Sequence, residues 1–119
     1  MKVAIIGAGT WGKNHIRHLS QINRLFGVYD INRAKIIENS RLYECEPIFS
    51  FDEIKKNKQI ENIFITTSAV SHFKVFKELA YYKKNFFIEK PICINLNELS
   101  QIEEIVIKNN TKLVSGHLL

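Results

Sequence analysis

The chain has 119 residues, 45% of them apolar and 24% charged, and carries a net charge of +5. That is the size of one domain, residues 1–119, able to bury about two thirds of its unfolded surface around one core. No apolar run approaches the roughly 20 residues a membrane span needs. Because the N-terminus runs straight into a strand, no signal peptide and a cytoplasmic location are expected. The basic balance does not point to nucleic acid. The lysines are scattered, and the densest groups (Lys55, Lys56, Lys58; Lys83, Lys84) fall where helices should end, as ordinary dipole complementarity. Cys45 and Cys93 lie far apart outside any C-x-x-C pattern and read as free thiols in a reducing compartment. None of His15, His18, His72 and His117 has ligand spacing with either cysteine, so no metal site is expected.

In chain order, Val3 to Ile6 is a short, mostly β-branched run, the kind that forms a strand buried on both faces. It feeds Gly7-Ala8-Gly9-Thr10-Trp11-Gly12, a G-x-G-x-x-G, and then a helix over about 11–22. In such a turn the first glycine allows the tight bend and the second lets the backbone approach a pyrophosphate. The third lets the helix pack close to the strand. The N–H groups of the helix start then face anionic oxygens, where the helix dipole favours negative charge. Asp30, at the end of the next apolar run, supplies the acid expected about 20 positions on in a dinucleotide site. The alternative is a glycine-rich turn that binds nothing. In the first helix Ile16 and Leu19 should face the sheet, with Lys13, Asn14, Arg17 and His18 outward and His15 and His18 solvated.

The second strand is expected over Leu25–Asp30, and a helix over Arg33–Arg41 with Asn32 as N-cap and Ile36 and Ile37 as its apolar stripe. Pro47-Ile48-Phe49 reads as a short third strand. Ser50 with Glu53 three residues on is a capping box for a short helix. Ile63–Thr66 is a fourth strand and Thr67-Ser68 a loop. Ser71 is expected to cap a helix reaching Tyr82, with Phe73, Phe76, Leu79 and Ala80 at helical spacing. Asn85–Ile88 is a fifth strand, ended by Glu89-Lys90-Pro91, whose proline no central strand would accept. Asn95 caps a last helix, with Glu98 three on and Leu99, Ile102 and Val106 inward, ended at Asn109-Asn110; Lys112–Ser115 is a sixth strand. Alternating strands and helices imply βαβ units and a doubly wound parallel α/β sheet of order 3-2-1-4-5-6. Ligands of such sheets bind beyond the carboxyl ends of the strands, where Gly7–Gly12, Asp30, Thr67-Ser68, Glu89-Lys90-Pro91 and His117 all fall. No repeat, low-complexity tract or linker interrupts the chain.

The segments VAIIGAGTWGKNH, VYDIN, FITTSAVSHFKVF, FFIEKPI and VSGHLL resemble, in order, the nucleotide-binding domain of the glucose–fructose oxidoreductase, inositol dehydrogenase and rhizopine-catabolism (Gfo/Idh/MocA) oxidoreductases. The E-K-P after the fifth strand is the most specific part. The G-x-W-G-K-N-H wording looks most like members that oxidise nucleotide-linked amino sugars. The resemblance implies a cofactor site built from Gly7, Gly9, Thr10, Trp11, Gly12, Asp30, Ile31, Thr67, Ser68, His72, Glu89, Lys90 and Pro91. Asp30 would hold the adenosine ribose hydroxyls and repel a 2′-phosphate, favouring NAD over NADP. Arg33 either softens that preference or is a solvated first-turn residue. Thr67, Ser68 and His72 match the family's T-P-x-x-x-H loop near the ribose and nicotinamide, with Ser68 in place of the usual proline; on spacing alone His72 would be an ordinary surface histidine.

The resemblance makes Lys90 the candidate catalytic residue, a cation near the reacting carbon able to stabilise developing oxyanion charge. The family's second domain, which carries the substrate pocket and the histidine general base, has no counterpart in these residues, and His117 reads as the connector to it. Three functions fit: an NAD-dependent oxidoreductase acting on a sugar, cyclitol or nucleotide-sugar hydroxyl, seen as its cofactor domain; an NAD-binding module without turnover; and half of a split enzyme. A small-molecule sugar substrate is expected only where a second domain completes the site. The surface around residues 91–94 and the last strand should be partly bare, which invites self-association.

Overall fold

The structure, a computed structural model, describes residues 2–115. Among them six strands form one parallel sheet: β1 (Lys2–Ile6), β2 (Leu25–Tyr29), β3 (Glu46–Pro47), β4 (Ile60–Ile65), β5 (Asn85–Ile88) and β6 (Lys112–Ser115). Their order is β3-β2-β1-β4-β5-β6, the doubly wound order expected. The helices are α1 (Thr10–Gln21), α2 (Arg33–Tyr43), α3 (Phe51–Lys56), α4 (His72–Leu79) and α5 (Leu96–Asn109). None is long and apolar enough to cross a membrane.

Strand alternation divides the core in two. Val3 and Ile5 point to one face, where Leu25 and Val28 join Ile16 and Leu19 of α1. Ala4 and Ile6 point to the other, where Ile63, Ile65, Phe86 and Ile88 meet Ile54 of α3, Phe76 and Leu79 of α4, and Ile102 and Ile105 of α5. Phe76, Leu79 and Ile102 are almost wholly buried, and each contributes about 1.5–3 kcal/mol by leaving water. The parallel register Ala4–Ile63 and Ile6–Ile65 keeps like faces together and brings the ends of β1 and β4 level. The ligand-facing edge is therefore set by core packing.

The caps were legible. Asn32 Oδ1 accepts the Ala34 N–H, Asn95 Oδ1 accepts the Glu98 N–H, and Ser50 and Glu53 form the capping box. Several expectations need correction. The third strand pairs through Glu46 and Pro47, one residue earlier than expected, and β4 starts at Ile60. Ser71 does not cap α4: its backbone is already right-handed helical (φ −99°, ψ −7°), closing a 3-10 turn over Ala69–Ser71, so it lacks the extended geometry of a cap. The helix stops at Leu79, short of Tyr82, where Lys83 turns left-handed (φ 47°). In α5 the buried pair is Ile102 and Ile105, with Leu99 and Val106 half-buried. Lys84 is no solvated helix-end lysine. It is buried, and its Nζ donates to the carbonyls of Asn57 (2.7 Å) and Ile60 (2.6 Å), tying the start of β5 to the α3–β4 loop.

Both cysteines are free and half-buried. Burial is the main cause that lifts the Cys45 thiol from 9.0 to about 11. Between those two values the unfolded chain ionises at Cys45 while the folded one keeps its proton, so stability must fall as pH rises through that window. Urea unfolding at pH 8 and pH 10.5 should show a larger alkaline loss for the native chain than for Cys45→Ala; equal losses would remove Cys45 as the cause.

Candidate functional site

The glycine turn lies where β1 ends against β4. Gly7 has φ +109°, a left-handed conformation open to glycine, and a Cβ there would sit 2.7 Å from the Thr66 carbonyl carbon and the Thr67 nitrogen. Thr66, which sequence reasoning did not single out, locks the turn: its Oγ1 lies 2.7 Å from the Gly7 carbonyl oxygen, and its N–H donates to Ile6 O at 2.8 Å. Gly12, buried in the first turn of α1, packs directly on the Gly7 carbonyl. Gly9 differs, because a Cβ there would meet nothing within 4 Å. Above Gly9 is open space at the start of a helix with no side-chain cap and no acid in its first turn. The first N–H groups of a helix have no intrahelical acceptor, and an anion is their natural partner. The residues present therefore fit a pyrophosphate. Thr10 and Trp11 are exposed beside it, Trp11 by 62%.

Asp30, at the end of β2, is 9% exposed. One carboxylate oxygen accepts the Ala8 N–H at 2.7 Å and the other the Asn32 N–H at 2.8 Å. The acid thus holds the glycine turn to the α2 start, and its orientation is set before any ligand arrives. A carboxylate has about four lone-pair sites, so two acceptor positions stay open for hydroxyls. Beside it opens a cleft of about 820 Å³, lined by Gly7, Gly9, Asp30, Ile31, Thr67 and Ser68 among the expected residues. Tyr29, Lys35, Phe49, Phe51 and Lys74 also line it and were not foreseen. They come from the β2, β3 and β4 connections, and no local pattern marks them. Arg33 is not simply solvated: its guanidinium carbon stands 4.4 Å from the Phe49 ring centroid.

The remaining expected residues gather at the ends of β4 and β5, beyond the walls of that cleft. His72 is 1% exposed, not a surface histidine, and its ring nitrogens lie 2.7 Å from Pro91 O and 2.8 Å from Thr67 O. His15 is not solvated either: it pairs with the Glu89 carboxylate at 3.0 Å and sits edge-on to Phe64 and Phe87. Lys90 and Pro91 are exposed and joined by a cis peptide bond. Two residues beyond, burial is the main cause that raises the Cys93 thiol above its usual value. Residues 116–119, His117 among them, lie outside the described residues.

A doubly wound parallel sheet, a glycine turn packed under an uncapped helix start, and an acid aimed at that turn define a dinucleotide-binding Rossmann domain. The chain belongs to the Gfo/Idh/MocA oxidoreductase family, NAD-binding Rossmann fold, whose model matches residues 1–117. It is 32% identical over 115 residues to the oxidoreductase YrbE of Bacillus subtilis, covering 94% of this chain and 34% of that protein. It is 26% identical to the inositol 2-dehydrogenase of Serratia proteamaculans, covering 96% and 35%. The solved structure of the UDP-N-acetylglucosamine 3-dehydrogenase of Acidithiobacillus ferrooxidans superimposes with a TM-score of 0.90 at 25% identity, covering 98% of this chain and 38% of that one. The chain thus spans about a third of the length of the curated relatives it matches.

Proposed function

We propose that this chain is the cofactor-holding part of an oxidoreductase that moves a hydride between NAD and a carbon bearing a hydroxyl in a sugar, cyclitol or nucleotide sugar. The substrate class rests on the relatives, an inositol 2-dehydrogenase and a UDP-N-acetylglucosamine 3-dehydrogenase. The observation that carries the cofactor reading is the Asp30 carboxylate, fixed by two backbone N–H groups at the edge of the cleft beside the glycine turn. Gly9 leaves room for the pyrophosphate, while the first-turn N–H groups of α1, including those of Thr10 and Trp11, neutralise it. Asp30 accepts the adenosine ribose hydroxyls, with Ile31 beside them. A ligand that starts at β2 and crosses the turn after β1 next meets the β4 and β5 ends. Thr67 and Ser68 then flank its second ribose, with His72, expected there from the resemblance, buried behind them on the Thr67 carbonyl, and Glu89, Lys90 and Pro91 flank its nicotinamide. The nicotinamide, when bound, supplies the hydride chemistry. Lys90, exposed there, donates a hydrogen bond to the substrate oxygen and stabilises charge as it develops.

An acid at the ribose repels a 2′-phosphate, so the chain should bind NAD(H) more tightly than NADP(H). Titration calorimetry at matched ionic strength reads this directly. Asp30→Ala should weaken NAD by about 1–3 kcal/mol, the scale of hydrogen bonds to a charged group. Equal or tighter binding of NADP(H) by the native chain would defeat the reading.

A further inference from the structure

We propose that His15 and His72 are positioning residues that clamp the Glu89–Pro91 loop from opposite faces of the sheet and thereby place Lys90. The inference rests on the reading of this edge as the nicotinamide end. Lys90 makes no hydrogen bond or ion pair of its own among the described residues. Its location is inherited from its neighbours, and each neighbour is held by a histidine. On the α1 face, His15 Nε2 lies 3.0 Å from the Glu89 carboxylate. The His15 ring stands edge-on to Phe64 (5.4 Å, 84°) and Phe87 (5.3 Å, 67°), and those two rings stack on each other at 4.6 Å. On the α4 face, the buried His72 ring spans Pro91 O and Thr67 O. An imidazole is rigid, so this bridge fixes the spacing between the β4 and β5 loops as well as the position of Pro91.

The chemistry of the second bridge is specific. Both partners of His72 are carbonyl oxygens, which only accept. An imidazole with one N–H meets one of them; the ring with both nitrogens protonated meets both. An apolar residue of similar volume would fill the space and leave both part-buried carbonyls without this donor. Space-filling alone therefore does not explain a histidine here. The same holds for His15, whose nitrogen meets a carboxylate over an otherwise aromatic surface.

The test uses the 119-residue chain with two probes, ADP-ribose, which lacks the nicotinamide, and NADH. The variants are His72→Ala, His15→Ala and His15→Gln, with exposed His18→Gln as control. Deuterium uptake by the segment 86–95 without ligand reads the clamp; calorimetry with each probe and the emission of bound NADH read its consequence. In both alanine variants the segment should exchange about tenfold faster, and NADH affinity should fall about tenfold with emission returning towards that of free NADH, the scale of one buried hydrogen bond. In His15→Ala, whose partner Glu89 lies at the nicotinamide end only, ADP-ribose affinity should stay within about twofold. His15→Gln, which restores a donor to Glu89, should recover most of the loss. Unchanged exchange and NADH binding would overturn the proposal, as would equal losses for ADP-ribose and NADH in His15→Ala, which mark a general loosening. If His72→Ala does not fold, His15→Ala decides. If the native chain fails to bind ADP-ribose, the cofactor reading falls, while the exchange experiment still decides whether the clamp exists.

Discussion

Gly12→Ala is expected to lose about 4 kcal/mol or more of folding stability, the extreme of the range for a single substitution and a large part of what a domain of this size has. The added Cβ would overlap the Gly7 carbonyl oxygen and approach the Gly7 carbonyl carbon, which are backbone atoms. Gly7 cannot retreat, because its own missing Cβ faces the Thr66 and Thr67 backbone and its N–H is bonded to Tyr29 O at 2.8 Å. Relief would require α1 to lift from β1, uncovering Ile16 and Leu19. Urea unfolding followed by far-ultraviolet circular dichroism would measure the loss. A midpoint within experimental error of the native one would show that the contact between turn and helix is slack.

Gly9→Val is expected to do the reverse: fold normally and lose NAD binding by more than about a hundredfold, roughly 2.7 kcal/mol. Gly9 has φ −78° and ψ −160°, extended backbone that valine adopts readily, and its Cβ would meet nothing within 4 Å. The space is free in the protein alone and, on the proposed function, is where the pyrophosphate reaches the backbone. The two variants should therefore separate, with stability lost at Gly12 and binding lost at Gly9. Normal NAD affinity in a folded Gly9→Val chain would show that the anion does not sit over this turn.

Much of this was open to reading in one dimension, because the signals are local. Short apolar runs mark β1 and β5, Asn32 and Asn95 announce the helices they cap, and the spacing of Gly7, Gly9, Gly12 and Asp30 belongs to one supersecondary unit. The strand order followed because right-handed crossovers leave few ways to lay out six alternating units.

The roles of particular side chains did not follow. His15 has the spacing of a solvated helix residue, and its partner Glu89 is 74 positions away. His72 reads as a first-turn surface histidine until β4 and β5 pair and bring the Pro91 carbonyl over it, 19 residues on. Lys84 looks like a helix-end charge, yet the carbonyls it satisfies lie 24 and 27 residues back. Periodicity and caps report what a residue does to its own segment. Burial of a polar side chain is decided by which carbonyls and carboxylates the sheet brings alongside it, and the parallel sheet assembles those from strands far apart in the chain.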